Sequence, residues 1–351
     1  MKNVVISGLL ILLLLGSSCK EEIDADIADI ELDVKVVRVD SLMYAFGKAI
    51  REEDSLEIWD AFERFVAPQG DFFAEYLFLP PGINRSPRLR DSIMTAMLGQ
   101  ALKDGGLFEL VDTIRQTFPY EVPLAARIEA PLKRLVKYFP DITLPEFRAH
   151  VNGYPADADW NSVDQIASYP GFISFGLHYF MGKNWPMYPP GIFAYQRRRL
   201  TPDYFGVCLT EQIAEELVTP IPMNQQVPLL HKVVRAGIKQ YVVHQLLPYT
   251  PDSLLLHYTS EQMDWANLYE SANYKLIMPS LYETDMAPEQ DFLSDKAFTS
   301  DLSRESAPRI GEYVGWKIVS LYMDKHPEIT LPDLCELVDY ELIVREARYK
   351  P

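Results

Sequence analysis

Positive charge is what this chain has least of: 33 Lys and Arg face 50 Asp and Glu, a formal net charge of -17 over 351 residues. Such a surface repels phosphate backbones, and no dense basic patch compensates, which argues against nucleic acid as a partner. Long apolar runs are also missing except at the extreme N-terminus, so the chain is not a multi-span membrane protein. Cysteine occurs three times, too rarely for a disulfide scaffold. The six histidines (His150, His178, His231, His244, His257 and His326) include no two that lie three or four apart. A helical zinc site of the HExxH type needs two imidazoles at i and i+4 on one face, with a Glu to activate water, and that pattern is absent. His231, His244 and His257 recur every thirteen residues, but at about 100° per residue successive rings fall on different helix faces. Neither a Gly-rich phosphate loop nor the Gly-x-Ser-x-Gly elbow of serine hydrolases occurs.

The composition that remains, 48% hydrophobic and 24% charged, is that of a folded protein long enough for one large domain or two smaller ones. The first 18 residues read as an export address: Lys2, an apolar stretch from Val4 to Leu15, then Gly16, Ser17 and Ser18. That stretch falls short of the roughly 20 residues a transmembrane helix requires. Small residues followed by Cys19 resemble a bacterial lipobox, in which the thiol is diacylglycerated, the preceding peptide removed and the new amino group acylated. Leu15 stands four residues before Cys19 instead of three, a departure from that pattern. Several acyl chains on one residue make a stable anchor, each buried methylene contributing roughly 0.8 kcal/mol. Behind Cys19 the acids Glu21, Glu22, Asp24, Asp26 and Asp29 predict a solvated tether over residues 19–30. The Cys-Lys-Glu-Glu start also resembles the acidic surface-export signal of Bacteroidetes lipoproteins. With Cys19 lipidated, Cys208 and Cys335 remain, both in apolar helical contexts; two free thiols are expected, one bridge being the alternative.

Residues 31–351 read as one α+β domain, mostly helical with a small central sheet. Ile30 to Val39 has the β-branched pattern of a strand, with Asp40 placed to cap the next helix. Ser86-Pro87 opens a helix that Gly105-Gly106 stops, and Leu107 to Phe118 and Leu124 to Phe139 are amphipathic. Between Phe147 and Met181 the period shortens into FRAHVNG, VDQIASY and GFISFGLHYFM, a small sheet. The segment NWPMYPPGIFAY predicts an ordered loop that shelters Trp185, Tyr188 and Phe193. Helices resume at Thr201-Pro202-Asp203, and Thr259 to Gln262 resembles a capping box before a long helix through Met278. Gln196-Arg197-Arg198-Arg199 is the one concentrated basic cluster: either a site for an anion or acidic partner segment, or a solvated face paired with nearby acids.

The last third carries a specific resemblance. Ala307-Pro308-Arg309-Ile310-Gly311-Glu312-Tyr313-Val314-Gly315-Trp316-Lys317-Ile318-Val319, Tyr322-Met323 and the terminal Ala347-Arg348-Tyr349-Lys350-Pro351 resemble the gliding-motility lipoprotein GldB family of the Bacteroidetes. Upstream, Val39-Asp40, Gly176 to Gly182, Tyr195 to Leu200, Leu246-Leu247-Pro248 and Thr259 to Gln262 with Trp265 fall in the same order. The resemblance implies a zincin-like metalloprotease scaffold that has lost its metal motif, with Gly237-Ile238-Lys239-Gln240-Tyr241 in the place of HExxH. Gly237 has no side chain, Ile238 cannot deprotonate water, and the Tyr241 phenol is a poor zinc ligand. It further implies a pseudo-enzyme, that is, a non-catalytic protein without metal or other cofactor. Such a protein sits in the outer membrane through acylated Cys19, exposed at the cell surface where its export signal acts, with envelope motility or secretion-machinery proteins as partners. A retained groove between the two corresponding helices would be lined by Lys239, Tyr241, His244, Arg309, Glu312, Tyr313 and Trp316. The alternatives are a peptide- or glycan-binding protein using that groove, and a residual hydrolase.

Overall fold

A four-stranded sheet in the order β1-β2-β4-β3 anchors the N-terminal part of the computed structural model, which describes residues 25–52, 58, 60, 64, 96–103, 106–120, 124–152, 165–222, 225–300 and 302–351. The strands are β1 (Val36–Arg38), β2 (Glu146–His150), β3 (Ile166–Tyr169) and β4 (Phe172–Gly176). β1 pairs with β2 in parallel, Val37 opposite Arg148, and β2 with β4 in parallel, Arg148 opposite Ser174. β3 and β4 form an antiparallel hairpin. Its turn is Pro170-Gly171, where Pro fixes φ and Gly171 adopts φ 89°, the demands of a type II turn. Every residue of β4 is buried, as expected of a strand covered on both faces.

Helices pack around this sheet and beyond it, among them α1 (Val39–Glu52), α2 (Leu107–Thr117), α3 (Glu129–Tyr138), α4 (Ala194–Arg197), α5 (Pro202–Leu217), α6 (Leu229–Leu246), α7 (Asp252–Leu255), α8 (Ser260–Leu268), α9 (Glu270–Ile277), α10 (Met286–Phe292), α11 (Ile310–Lys325), α12 (Leu331–Glu336) and α13 (Tyr340–Ala347). One continuous core joins sheet and helices, with Phe46, Phe147, Phe175, Phe205 and Tyr313 among its largest fully buried side chains. The mostly helical α+β architecture is the expected one.

Several local expectations shift. The strand foreseen over Ile30–Val39 shortens to Val36–Arg38, because β1 is an edge strand whose one partner, β2, pairs with those three residues only. Asp40 lies inside the first turn of α1, fully buried and held by Arg38 at 2.9 and 2.8 Å, so it is an ion-pair partner and not an N-cap. The tether ends early: Ala25–Ile27 form a 3-10 turn, Ile27 is buried, and Asp26 meets Arg134 and Lys137 at 3.2 Å. Third, β4 stops at Gly176 and Leu177–Phe180 continue as a 3-10 turn. The long helix through Met278 breaks at Tyr269 (φ -105°), which lets Glu270 reach the hydroxyls of Tyr313 and Tyr349. Tyr188 is buried as expected, its hydroxyl donating to Tyr179 O, but Phe193 is 62% exposed and stacks on Tyr195. Residues 1–18, Cys19 and the Ser86-Pro87 helix start lie outside the described residues.

Candidate functional site

Helix α5 carries Cys208, Glu211, Gln212 and Glu215 at spacings of three and four, which aligns them on one face. That face looks toward α6, where Arg235 and Lys239 stand one turn apart. Glu215 receives both cations, Arg235 Nη2 at 2.7 Å and Lys239 Nζ at 3.6 Å. Arg235 also donates to the carbonyls of Val218 and Thr219, which tie down the C-terminal end of α5. The four α5 residues and Lys239, together with Arg199, His257, Gln165 and Ile166, enclose a cleft of about 340 Å³.

His257 is the centre of the cleft's inner wall. It sits in the left-handed region (φ 59°) after α7, a conformation unfavourable for a side chain of this size and held by the contacts around it. Its Nε2 lies 2.8 Å from Glu211 Oε1 and its Nδ1 3.1 Å from Arg199 Nη1. A guanidinium can only donate, so Nδ1 accepts and the ring proton belongs on Nε2, facing the carboxylate. Arg199 is paired in turn with Asp295, and Arg198 donates to the His257 carbonyl. From the far side, Arg309, itself in the left-handed region (φ 48°), binds Glu312 at 3.1 Å and the Leu256 carbonyl at 2.8 Å.

Electrostatics fix the protonation states. Burial alone would raise the Glu211 carboxyl, but His257, Lys239 and Arg309 outweigh it and hold the group at about 2. Burial lowers His257, only partly offset by Glu211, while Arg309 and Arg199 add to the lowering. The Cys208 thiol is pushed up, first by burial and then by the Glu211 charge. The cleft therefore holds an ionised carboxylate 2.8 Å from an imidazole whose protonation burial disfavours, and a protonated thiol. What the arrangement offers is fixed charge of both signs around a small polar space.

The seven residues expected to line one groove do not meet. Lys239 joins the cleft, and Arg309 and Glu312 buttress it from behind. His244 stacks on Trp316 with ring centroids 4.2 Å apart, and Trp316 meets the edge of Tyr313 at 6.2 Å. Tyr313 points instead toward Asn267 and Glu270. The half-buried Tyr241 stands on another face, its phenol raised by burial and then by Asp324 and Tyr138. At the crossing itself α6 and α11 touch backbone to backbone: a Cβ on Gly237 would lie 2.2 Å from Gly315 C, and one on Gly315 2.1 Å from Val233 O. No groove runs between them there. Ile238 is fully buried, and Gln240 donates to the Leu255 carbonyl at 2.8 Å. Among the described residues no three His, Cys, Asp or Glu side chains are grouped to hold a metal ion. Cys208 and Cys335 carry free thiols.

The basic cluster at 197–199 is half-buried: Arg197 binds the carbonyls of Ile192 and Pro189, Arg198 and Arg199 hold His257, and Arg199 also pairs with Asp295. Sequence reasoning missed Glu211, Glu215, His257 and Asp295. The α5 spacing was the available signal for the first two; nothing local marks the others. The stretches that carry the family resemblance supply Arg199, Arg309 and Glu312 to this network. A family model described as gliding motility protein GldB matches residues 20–351. Neither a curated protein nor a solved structure gives a match.

Proposed function

The chain belongs to the GldB gliding-motility family, and from that premise we propose that it is a non-catalytic lipoprotein of the outer membrane, anchored through acylated Cys19 and working as a component of the gliding machinery. The observation that carries this reading is the family match, which spans all but the first 19 residues. The label of the family model, which marks it as a lipoprotein family, supports the anchor. So does the lipobox-like run ending at Cys19. No described helix is long and apolar enough to cross a membrane. The mechanism is tethering: the anchor confines the domain to the membrane plane and raises its effective concentration near envelope partners, motility or secretion-machinery proteins among them. The close packing of His257 between Glu211 and Arg199 and the protonated Cys208 support the non-catalytic part. Zincin-like ancestry rests on the resemblance alone.

Gentle detergent extraction of the tagged full-length lipoprotein, with quantitative identification of co-purifying proteins against a Cys19→Ala control, tests the proposal. Enrichment of motility or secretion components that the control loses is the expected result. Recovery of only lipid and bulk outer-membrane proteins would sink the scaffold role, and stoichiometric zinc in the purified protein would sink the non-catalytic one.

A further inference from the structure

A second cavity, of about 660 Å³, opens between the loop 181–186 and the start of α5. Its lining includes Lys183, Asn184, Trp185, Pro186, Arg198 and Pro202, and not one carboxylate. In a chain of net charge -17, a cavity walled by two cations and no acid is a local reversal of sign. Neither cation is neutralised: Arg198 donates one nitrogen to the His257 carbonyl at 3.2 Å, and among the described residues neither Arg198 nor Lys183 pairs with a carboxylate. Thr201, the residue before α5, makes no side-chain cap, so the positive end of that 16-residue helix is left to the same space. The nearest acids acting on Arg198 are Asp295, already held by Arg199, and Glu261, and both lie outside the lining.

The rest of the wall is apolar and flat: the indole of Trp185 and the rings of Pro186 and Pro202. A bare inorganic anion would leave that wall wet. A sugar ring presents an apolar C–H face that packs on such rings, and a carboxylate on the same ring supplies the negative charge that Arg198 and Lys183 lack. The volume is that of a small-molecule site and exceeds what one ring fills. We infer that this cavity binds an acidic saccharide, a short uronic-acid-type glycan whose carboxylate is held by Arg198 and Lys183 and whose ring packs on Trp185. The loop is built for the purpose of staying put: Gly182 donates to the Leu200 carbonyl at 2.7 Å, Met181 N donates to the Tyr188 hydroxyl, and Gly182 takes φ 107°.

The test is calorimetric titration of the detergent-solubilised full-length lipoprotein with trigalacturonate, and with its methyl ester, which keeps the shape and removes the charge. Saturable binding of the acid is expected, with the ester about tenfold weaker. Arg198→Gln should weaken the acid by about tenfold or more, and the exposed Lys183→Gln by about threefold with its melting temperature unchanged. Trp185→Ala should weaken acid and ester alike. Equal affinity for acid and ester, no saturation, or indifference to both Lys183→Gln and Trp185→Ala would overturn the assignment. Displacement of the trisaccharide by an equal concentration of inorganic phosphate would do so too, by reducing the cavity to an anion site. Any of these failures leaves the membrane-anchored reading untouched, since that rests on Cys19 and the family match.

Discussion

Helix α6 has two faces that obey different rules. Gly237 and Lys239 are two residues apart, about 200° around the helix. The face bearing Gly237 presses on α11 with no side chain between the backbones, and the residues around it, Val233, Val234 and Ile238, are fully buried. The face bearing Lys239 and Arg235 meets α5 across charges and a cleft. A mid-helix glycine costs about 1 kcal/mol relative to alanine, and here two are spent to bring helices together. On the polar face, geometry is held by ion pairs that stay partly wet. The comparison separates a contact that tolerates no added atom from one that tolerates rearrangement, on a single 18-residue helix.

The largest effect should follow from adding one carbon to the tight face. Gly315→Ala places its Cβ 2.1 Å from Val233 O, within the backbone of the neighbouring helix, where no side chain can swing away. A destabilisation of about 3 kcal/mol or more is expected from urea denaturation of the purified protein. Gly206→Ala, whose Cβ would meet Arg127 O at 3.3 Å, is the matched control and should cost far less. Equal midpoints for the two variants would remove the distinction between the faces.

On the polar face the expected losses are graded. Glu211→Ala strips the carboxylate from a buried arrangement that includes His257, Lys239 and Arg309 and should cost about 3 kcal/mol. Lys239→Met removes a cation that is about a quarter exposed and 3.6 Å from its partner, and should cost less than about 1 kcal/mol in the same assay. If Lys239→Met proved the costlier of the two, the cleft edge and not the His257 network would be holding α5 to α6.

How much of this was legible in the chain depended on whether the determining contacts were local. The apolar spacing that builds α2 and α3, the Thr259 box and the Pro170-Gly171 hairpin are short-range and could be read directly. His257 and Asp295 could not, because folding joins them to Glu211 and Arg199 across intervals of 46 and 96 residues. The Gly237–Gly315 contact shows the same limit in reverse. Gly237 was noticed for what it lacks as a metal ligand, whereas its role is to let another backbone approach. The groove over seven residues was implied by the family resemblance, and at its centre the Gly237–Gly315 backbone contact leaves no space for one. Asp40 misled because an acid before an apolar run is also what a buried ion pair with Arg38 looks like in sequence.

Acid should weaken the fold in two stages. His257 and His150 are held neutral by burial, His150 down to about 3, so the unfolded chain takes up their protons first. Their contribution is intact above pH 6.5 and is lost as pH falls below it. Glu211 is depressed to about 2 against an unfolded value near 4.3. Its contribution is present above that unfolded value and disappears as pH falls toward 2. Denaturation curves at a series of pH values should therefore show the gap between wild type and Glu211→Gln constant from pH 7 to 5 and narrowing below about 4.5. A gap that already closes between pH 7 and 5 would mean that the carboxylate is not the ionised partner of His257.

A modest effect concerns the turn that delivers His257 to the cleft. Thr259 Oγ1 accepts from Gln262 N and Gln262 Oε1 accepts from Thr259 N, both at 3.0 Å, so two otherwise unpaired donors at the start of α8 are satisfied reciprocally. That box begins two residues after His257, whose left-handed backbone has no glycine to relieve it. Thr259→Ala should cost about 1 kcal/mol. Thr201→Ala, at the corresponding position before α5 but with no cap bond to lose, should stay within about 0.5 kcal/mol. The sharper readout is what the first substitution does to the second stage of acid loss. If the box holds the turn that carries His257, Thr259→Ala shrinks the stability difference between Glu211 and Glu211→Gln, and Thr201→Ala leaves it unchanged. A difference that is the same in both backgrounds would show that Arg198, Arg199 and Glu211 hold the imidazole without help from the helix that follows it.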